Sequence, residues 1–162
     1  ELLTENLTKW RQIETCYYEL IHADNKKHDN EIKSTVRKIS DEFDEGLESD
    51  FNTHLALLVF FKLVKEVNYL AAEEKLGLND VKNVMPEFER MLEILGLRVP
   101  KTTEDEKKEI DDLIMDRVHL RKEKKFQEAD KIRDKLNEMN VELIDHKEKT
   151  IWVRKEKIRG EN

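Results

Sequence analysis

RKEKKFQEADKIRDKLNEMNVELIDHKEKTIW, residues 121–152, is the stretch on which the fold turns. Ala129, Ile132, Leu136 and Met139 recur at helical spacing. Beyond Asn140 the apolar period drops to two. Val141 and Leu143, then Ile151 and Val153, alternate with polar residues and predict two short strands. A helix giving way to a two-stranded ribbon predicts a small α/β module, because such a ribbon is marginal unless it packs on helices. The same stretch gathers Arg121, Lys122, Lys124, Phe126, Asp130, Asp145 and Trp152. These are the groups that read unpaired RNA bases: rings stack, arginine donates to guanine edges, and carboxylates accept from exocyclic amines.

Upstream, the period is helical throughout. Leu3, Leu7, Trp10, Ile13, Tyr17 and Leu20 predict a helix from about Leu2 to Ala23, ended by the polar run His22 to Asn30. Ile32, Val36, Ile39, Phe43 and Leu47 mark a second, with Gly46 near its end. Ser49 to Thr53 is a cap signal in which Asn52 or Thr53 can accept from free amides. The third, about Thr53 to Lys75, is apolar almost all round and predicts a buried centre, with Gly77 as its breaker. Val81, Val84, Met85, Phe88, Met91, Leu92 and Leu95 mark a fourth, ended by Gly96; Pro86 fits only near its start or with a kink. Thr102 or Thr103 then caps a fifth helix carrying Ile110, Leu113, Ile114 and Val118. The expected fold is mainly α: an antiparallel helical bundle over 1–97, a linker over 98–104, and the α/β module with its short ribbon over 105–162.

Composition agrees. Six Gly and Pro in 162 residues favour long helices. The net charge of −7 is uneven: residues 117–159 hold 14 Lys and Arg against 9 Asp and Glu, and the remainder holds 16 against 28. A basic end on an acidic body fits nucleic-acid contact confined to that end, and equally fits solvated helix faces. No stretch of about 18 apolar residues is present, so no membrane span is expected. The single cysteine, Cys16, points to a reducing compartment, the cytoplasm, and most simply fills core. Five scattered histidines give no metal-ligand spacing, and no phosphate loop or nucleophilic triad occurs. No catalytic and no metal residue is expected.

Phe126 and Asp130 are four apart on one helix, as are Arg117 and Arg121 on another, and Asp145 ends the first strand. Together they can form a small polar pocket with one aromatic wall. Each has a plainer reading. Phe126 can be a staple packed on the bundle, and Asp130 can favour a helix start or pair with Arg133. Arg121 can favour a helix end, and Trp152 can be a packing residue.

Leu113-Ile-x-x-Arg117-x-x-x-Arg121-Lys-x-Lys-Lys-Phe126-x-x-Ala129-Asp130-x-x-Arg133-Asp134-x-Leu136, with Val141-x-Leu143-x-Asp145 and Thr150-x-Trp152, resembles the carboxy-terminal end of cysteinyl-tRNA synthetases. Asp50-Phe51-Asn52-Thr53 before a helix with Val64-x-x-Val67-Asn68 resembles the start of that family's DALR-type helical bundle. The resemblance implies a bundle followed by an anticodon-binding module. The parent family joins cysteine to its tRNA with ATP and zinc in a catalytic domain expected before Glu1. The chain begins without Met and already reads as helix there. The family's His-Ile-Gly-His and Lys-Met-Ser-Lys-Ser type signatures and its zinc ligands are absent from these residues. The implied role is therefore tRNA binding without catalysis, with no cofactor in this piece. Its partners would be the tRNA for cysteine and the catalytic domain, and neither DNA nor a membrane.

The family reads a GCA anticodon. Motif for motif, the resemblance assigns RNA contact to Arg121, Phe126, Asp130 and Asp145, with Lys122, Lys124 and Trp152 beside them. Asn140 and Lys149 stand where the family has glycine, and a Trp in place of Phe126 would stack over a larger area. The alternative reading is a stand-alone helical module that binds a protein partner.

Overall fold

The computed structural model describes residues 2–24, 32–48, 52–146 and 150–155. The side chain of Leu3, the Ser49–Phe51 part of the expected cap, the run 25–30 and the loop 147–149 with Lys149 lie outside the described residues. Six helices and two strands follow in order: α1 (Leu2–Ile21), α2 (Ile32–Glu48), α3 (Thr53–Ala72), α4 (Leu78–Ile94), α5 (Glu104–Lys122), α6 (Phe126–Glu138), β1 (Val141–Asp145) and β2 (Thr150–Arg154). The fold is mainly α with a small terminal ribbon of β1 and β2. The chain divides into two compact units. Unit 1 is 1–99 together with 146–151, and unit 2 is 100–145 together with 152–162.

In unit 1, α3 packs on α1 and α2, and α4 packs chiefly on α2. Val59, Phe60, Leu63, Val64 and Val67 of α3 are buried with Phe43 of α2 and with Val84, Phe88 and Met91 of α4. The Phe60 and Phe88 rings lie 5.5 Å apart at a tilt of 37°, within the range that favours aromatic pairs. The covering of α3 is incomplete: Leu58 is 52% and Tyr69 57% exposed. The expected buried centre takes the form of a broad buried stripe, since its packing partners reach only part of its circumference. Cys16 is fully buried, and burial, with Glu19 adding to it, raises its thiol pKa well above the ordinary value. It is core, and its thiol stays protonated and unreactive.

The helix ends explain themselves. Asn52 Oδ1 accepts from the Leu55 amide at 3.0 Å, which makes Asn52 the cap of α3. The chain leaves α3 at Glu74, with φ 57°, where the Glu74 amide donates to Ala71 and the Lys75 amide to Leu70. That paired closure is a Schellman turn made without glycine. Gly77 consequently does not end α3. It opens α4, where its amide donates to buried Asp80 Oδ2 at 2.9 Å. Gly96, with φ 68°, closes α4 in the same manner as Glu74 closes α3. Pro86 lies inside α4 rather than near its start, so the helix forgoes one backbone bond there.

Polar contacts also tie unit 1 together. Glu19, 4% exposed at its side chain, meets His146 Nε2 at 2.8 Å. Arg90 of α4 reaches across to α2, where it donates to Asp44 Oδ1 at 2.8 Å and Ser40 Oγ at 3.0 Å, as well as to Glu87 Oε2 at 2.8 Å. Its guanidinium also lies 5.6 Å from the Phe43 ring centre. A planar fork satisfies these directions together and an ammonium does not. Arg90→Lys is expected to cost about 1 kcal/mol in chemical denaturation. Asp44→Asn should cost less in that background than alone; equal costs would mean that the two side chains act independently.

Candidate nucleic-acid interface

Unit 2 is built on the packing of α5 against α6, with β1 against α6. Thr103 Oγ1 accepts from the Glu106 amide, and Glu106 Oε2 accepts from the Thr103 amide at 3.0 Å, so α5 starts in a full capping box. Glu106 also meets Arg154 of β2 at 2.8 Å. Trp152 of β2 is 1% exposed, and its Nε1–H donates to Asp111 Oδ1 at 2.8 Å. Both strand residues therefore fasten β2 to α5. The ring of Trp152 is enclosed, so its expected RNA contact is corrected to the packing role.

The far end of α5 makes the interface. The Lys124 amide donates to Arg121 and the Lys125 amide to Leu120, again a Schellman turn, and Lys124 takes φ 62°. A β-carbon in that conformation is strained, so a lysine here costs stability that glycine would not. The turn leaves Arg121, Lys122 and Lys124 exposed and starts α6 at once with Phe126, 57% exposed. Phe126 is thus no staple. Lys125 is occupied, 2.8 Å from Glu123. Among the described residues no ion pair or side-chain hydrogen bond takes up Arg121, Lys122, Lys124 or Asp130. In particular, Asp130 does not pair with Arg133. Asn140 takes φ 60° before β1, and the Lys155 amide donates to its carbonyl at 2.8 Å. Asparagine thereby supplies the left-handed residue that glycine supplies in the family pattern.

A polar cleft of 260 Å³ opens beside this turn. Arg117 and Arg121 from α5, Arg133 from α6, Glu142 and Asp145 from β1, and Lys155 line it, over Leu136 and Val141. Glu142 and Lys155 form an ion pair. Of the expected pocket, Arg117, Arg121 and Asp145 come together. Phe126 and Asp130 are not among its lining, so the aromatic surface lies outside the cleft. Arg133 and Lys155 were missed as site residues. The signal for Arg133 was available in its spacing, because Arg133, Leu136 and Asn137 share one face of α6. Among the described residues no cluster of His, Cys, Asp or Glu could hold a metal ion, and no helix is long and apolar enough to cross a membrane.

Unit 2 thus carries a cationic turn, an exposed ring and a mixed-charge cleft, and residues 42–99 match the DALR domain. The chain belongs to the cysteine–tRNA ligases, as a carboxy-terminal part. It is 31% identical over 161 residues to the Cysteine--tRNA ligase of Bacillus velezensis, covering 96% of this chain and 34% of that protein. It is 30% identical over 159 residues to that of Bacillus cereus, covering 95% and 34%. Against that of Listeria monocytogenes it is 32% identical over 120 residues, covering 73% and 26%. The chain spans about a third or less of the length of these relatives.

Two outcomes follow from this geometry. The Thr103 amide, then Arg154 and the Thr103 hydroxyl, hold the Glu106 carboxyl down at about 2, from an ordinary 4.5. A folded pKa below the unfolded one stabilises the fold fully above pH 4.5, and that stabilisation is lost as pH falls towards 2. Thermal unfolding followed across that window should fall more steeply for the parent chain than for Glu106→Gln; parallel curves would show that the box carries no such linkage. Lys124→Gly should raise stability by about 1 kcal/mol by relieving the left-handed residue, and no gain in denaturant midpoint would contradict the strain.

Proposed function

We propose that this chain is the tRNA-binding, anticodon-recognising region of a cysteine–tRNA ligase, contacting the anticodon loop through Arg121, Phe126, Asp130 and Asp145. The observation that carries this reading is the turn between α5 and α6. Three cations, a ring and a carboxylate stand exposed there, with no described partner, next to the cleft that Asp145 lines. Phe126 offers a face for stacking, and Asp130 and Asp145 accept from base amines. Lys122 and Lys124 neutralise phosphates regardless of sequence.

The whole protein would join cysteine to its tRNA in the cytoplasm, with ATP and zinc handled by its catalytic portion. The described residues here offer zinc no ligand set. The chain's partners would be the tRNA for cysteine and that catalytic portion.

Binding of the chain to an anticodon stem-loop bearing GCA, against loops with the anticodon exchanged, tests the reading. GCA should bind more tightly at both low and moderate salt. Asp130→Ala and Asp145→Ala should each cost about 1–3 kcal/mol on GCA and erode discrimination. Lys122→Ala and Lys124→Ala should weaken all RNAs alike and flatten the salt dependence. Equal binding to every loop, vanishing with salt, would reduce the basic end to a generic electrostatic surface.

A further inference from the structure

The turn between α5 and α6 reads Arg121-Lys122-Glu123-Lys124-Lys125, four cations around one acid. Glu123 is the first residue past α5, and its two carboxylate oxygens take different partners. Oε2 lies 2.8 Å from Lys125 Nζ, and Oε1 lies 3.0 Å from His119 Nε2, one helical turn back. The hydrogen bond from Lys125, then its charge and that of His119, hold the Glu123 carboxyl below its ordinary 4.5, and the same carboxylate raises the Lys125 ammonium. Glu123 and Lys125 therefore face each other as ions at neutral pH.

The fold does not need this bridge. Backbone bonds from the Lys124 and Lys125 amides already close the turn. All three side chains are exposed, and an ion pair in water adds little to stability. What the carboxylate changes is the charge the turn offers to solvent. With two anionic oxygens between two nitrogen donors, it sits as a phosphodiester would, and it takes up an ammonium that phosphate would otherwise claim. Among the described residues no acid does the same to Arg121, Lys122 or Lys124.

We propose that Glu123 is a built-in competitor of RNA phosphate, which withholds Lys125 so that the turn offers three cations rather than four. The inference rests on RNA binding at this turn, and it concerns the phosphodiester backbone rather than any base. A phosphate contact strengthens every RNA alike, the right sequence and the wrong one. Withholding one keeps wrong RNAs weakly bound and leaves retention to the base contacts.

The test is fluorescence anisotropy of the full chain with the GCA stem-loop and with an exchanged-anticodon loop, over a range of salt. The log–log slope against salt counts phosphate contacts, at about 0.7 for each on a single strand. Glu123→Gln should steepen the slope by about that amount and tighten both loops equally, by about 5-fold near 0.1 M salt. Adding Lys125→Ala to Glu123→Gln should return the slope to that of the parent chain. Glu104→Gln removes the same charge from the start of α5, about 28 Å along the helix and nearly three Debye lengths away at about 0.1 M salt. It should leave the slope as it is. Circular dichroism checks that each variant keeps its helicity. An unchanged slope for Glu123→Gln, equal steepening by Glu104→Gln, or a gain that survives Lys125→Ala overturns the assignment. So does a gain confined to the GCA loop, which would make Glu123 a base contact. If exchanging the anticodon changes nothing while Glu123→Gln still steepens the slope through Lys125, the withholding stands and the anticodon reading falls. If neither the parent nor Glu123→Gln binds RNA at the lowest salt, both fall.

Discussion

A helix that is apolar over most of its circumference must be covered over most of it, and α3 imposes that condition on unit 1. Exposing its buried face would forfeit about 1.5–3 kcal/mol for each large side chain there. Packing on α1 and α2 meets the condition for Val59, Phe60, Leu63, Val64 and Val67, and α4 closes over Phe60 through Phe88. The polar details of the bundle serve this cover. Arg90 fixes α4 to α2 by directional bonds, whereas apolar packing alone tolerates sliding.

In unit 2 the apolar core is thinner, and electrostatics does more of the organising. Ile110 and Arg117 are the buried residues of α5, Ala129 and Leu136 those of α6. Few greasy contacts hold the module, so capping and fastening bonds matter more to it: the box at Thr103 and Glu106, Arg154 on Glu106, and Trp152 on Asp111. These bonds serve the end of the module away from the α5–α6 turn, whose cations and ring remain available to a ligand.

Helical periodicity made the stripes of α2 and α4 legible, and the switch to period two placed β1 and β2. Asn52 and Thr103 were readable as caps because their chemistry is local. The end of α3 was not. Glu74 is no glycine, and only the backbone shows that it adopts φ 57°; Gly77, the obvious breaker, turned out to begin the next helix. At the interface, exposure could not be read from composition. Phe126 and Trp152 are both aromatic residues in a basic stretch, yet one stands in solvent and the other is enclosed, with its Nε1–H on Asp111. Val118 looked like core by spacing and is 39% exposed, while Arg117 beside it is buried. A register shift of one residue on a weakly amphipathic helix exchanges such neighbours, and charge alone does not reveal it.

Unit 1 is not a continuous length of chain. It ends at Val99 and takes up 146–151 again, with His146 against Glu19. A protease that nicked the linker near Pro100 would leave two pieces of backbone still held together, because His146, on the second, belongs to the body formed by the first and meets Glu19 there. Shuffling this appendage onto another enzyme would require moving both of its crossings together.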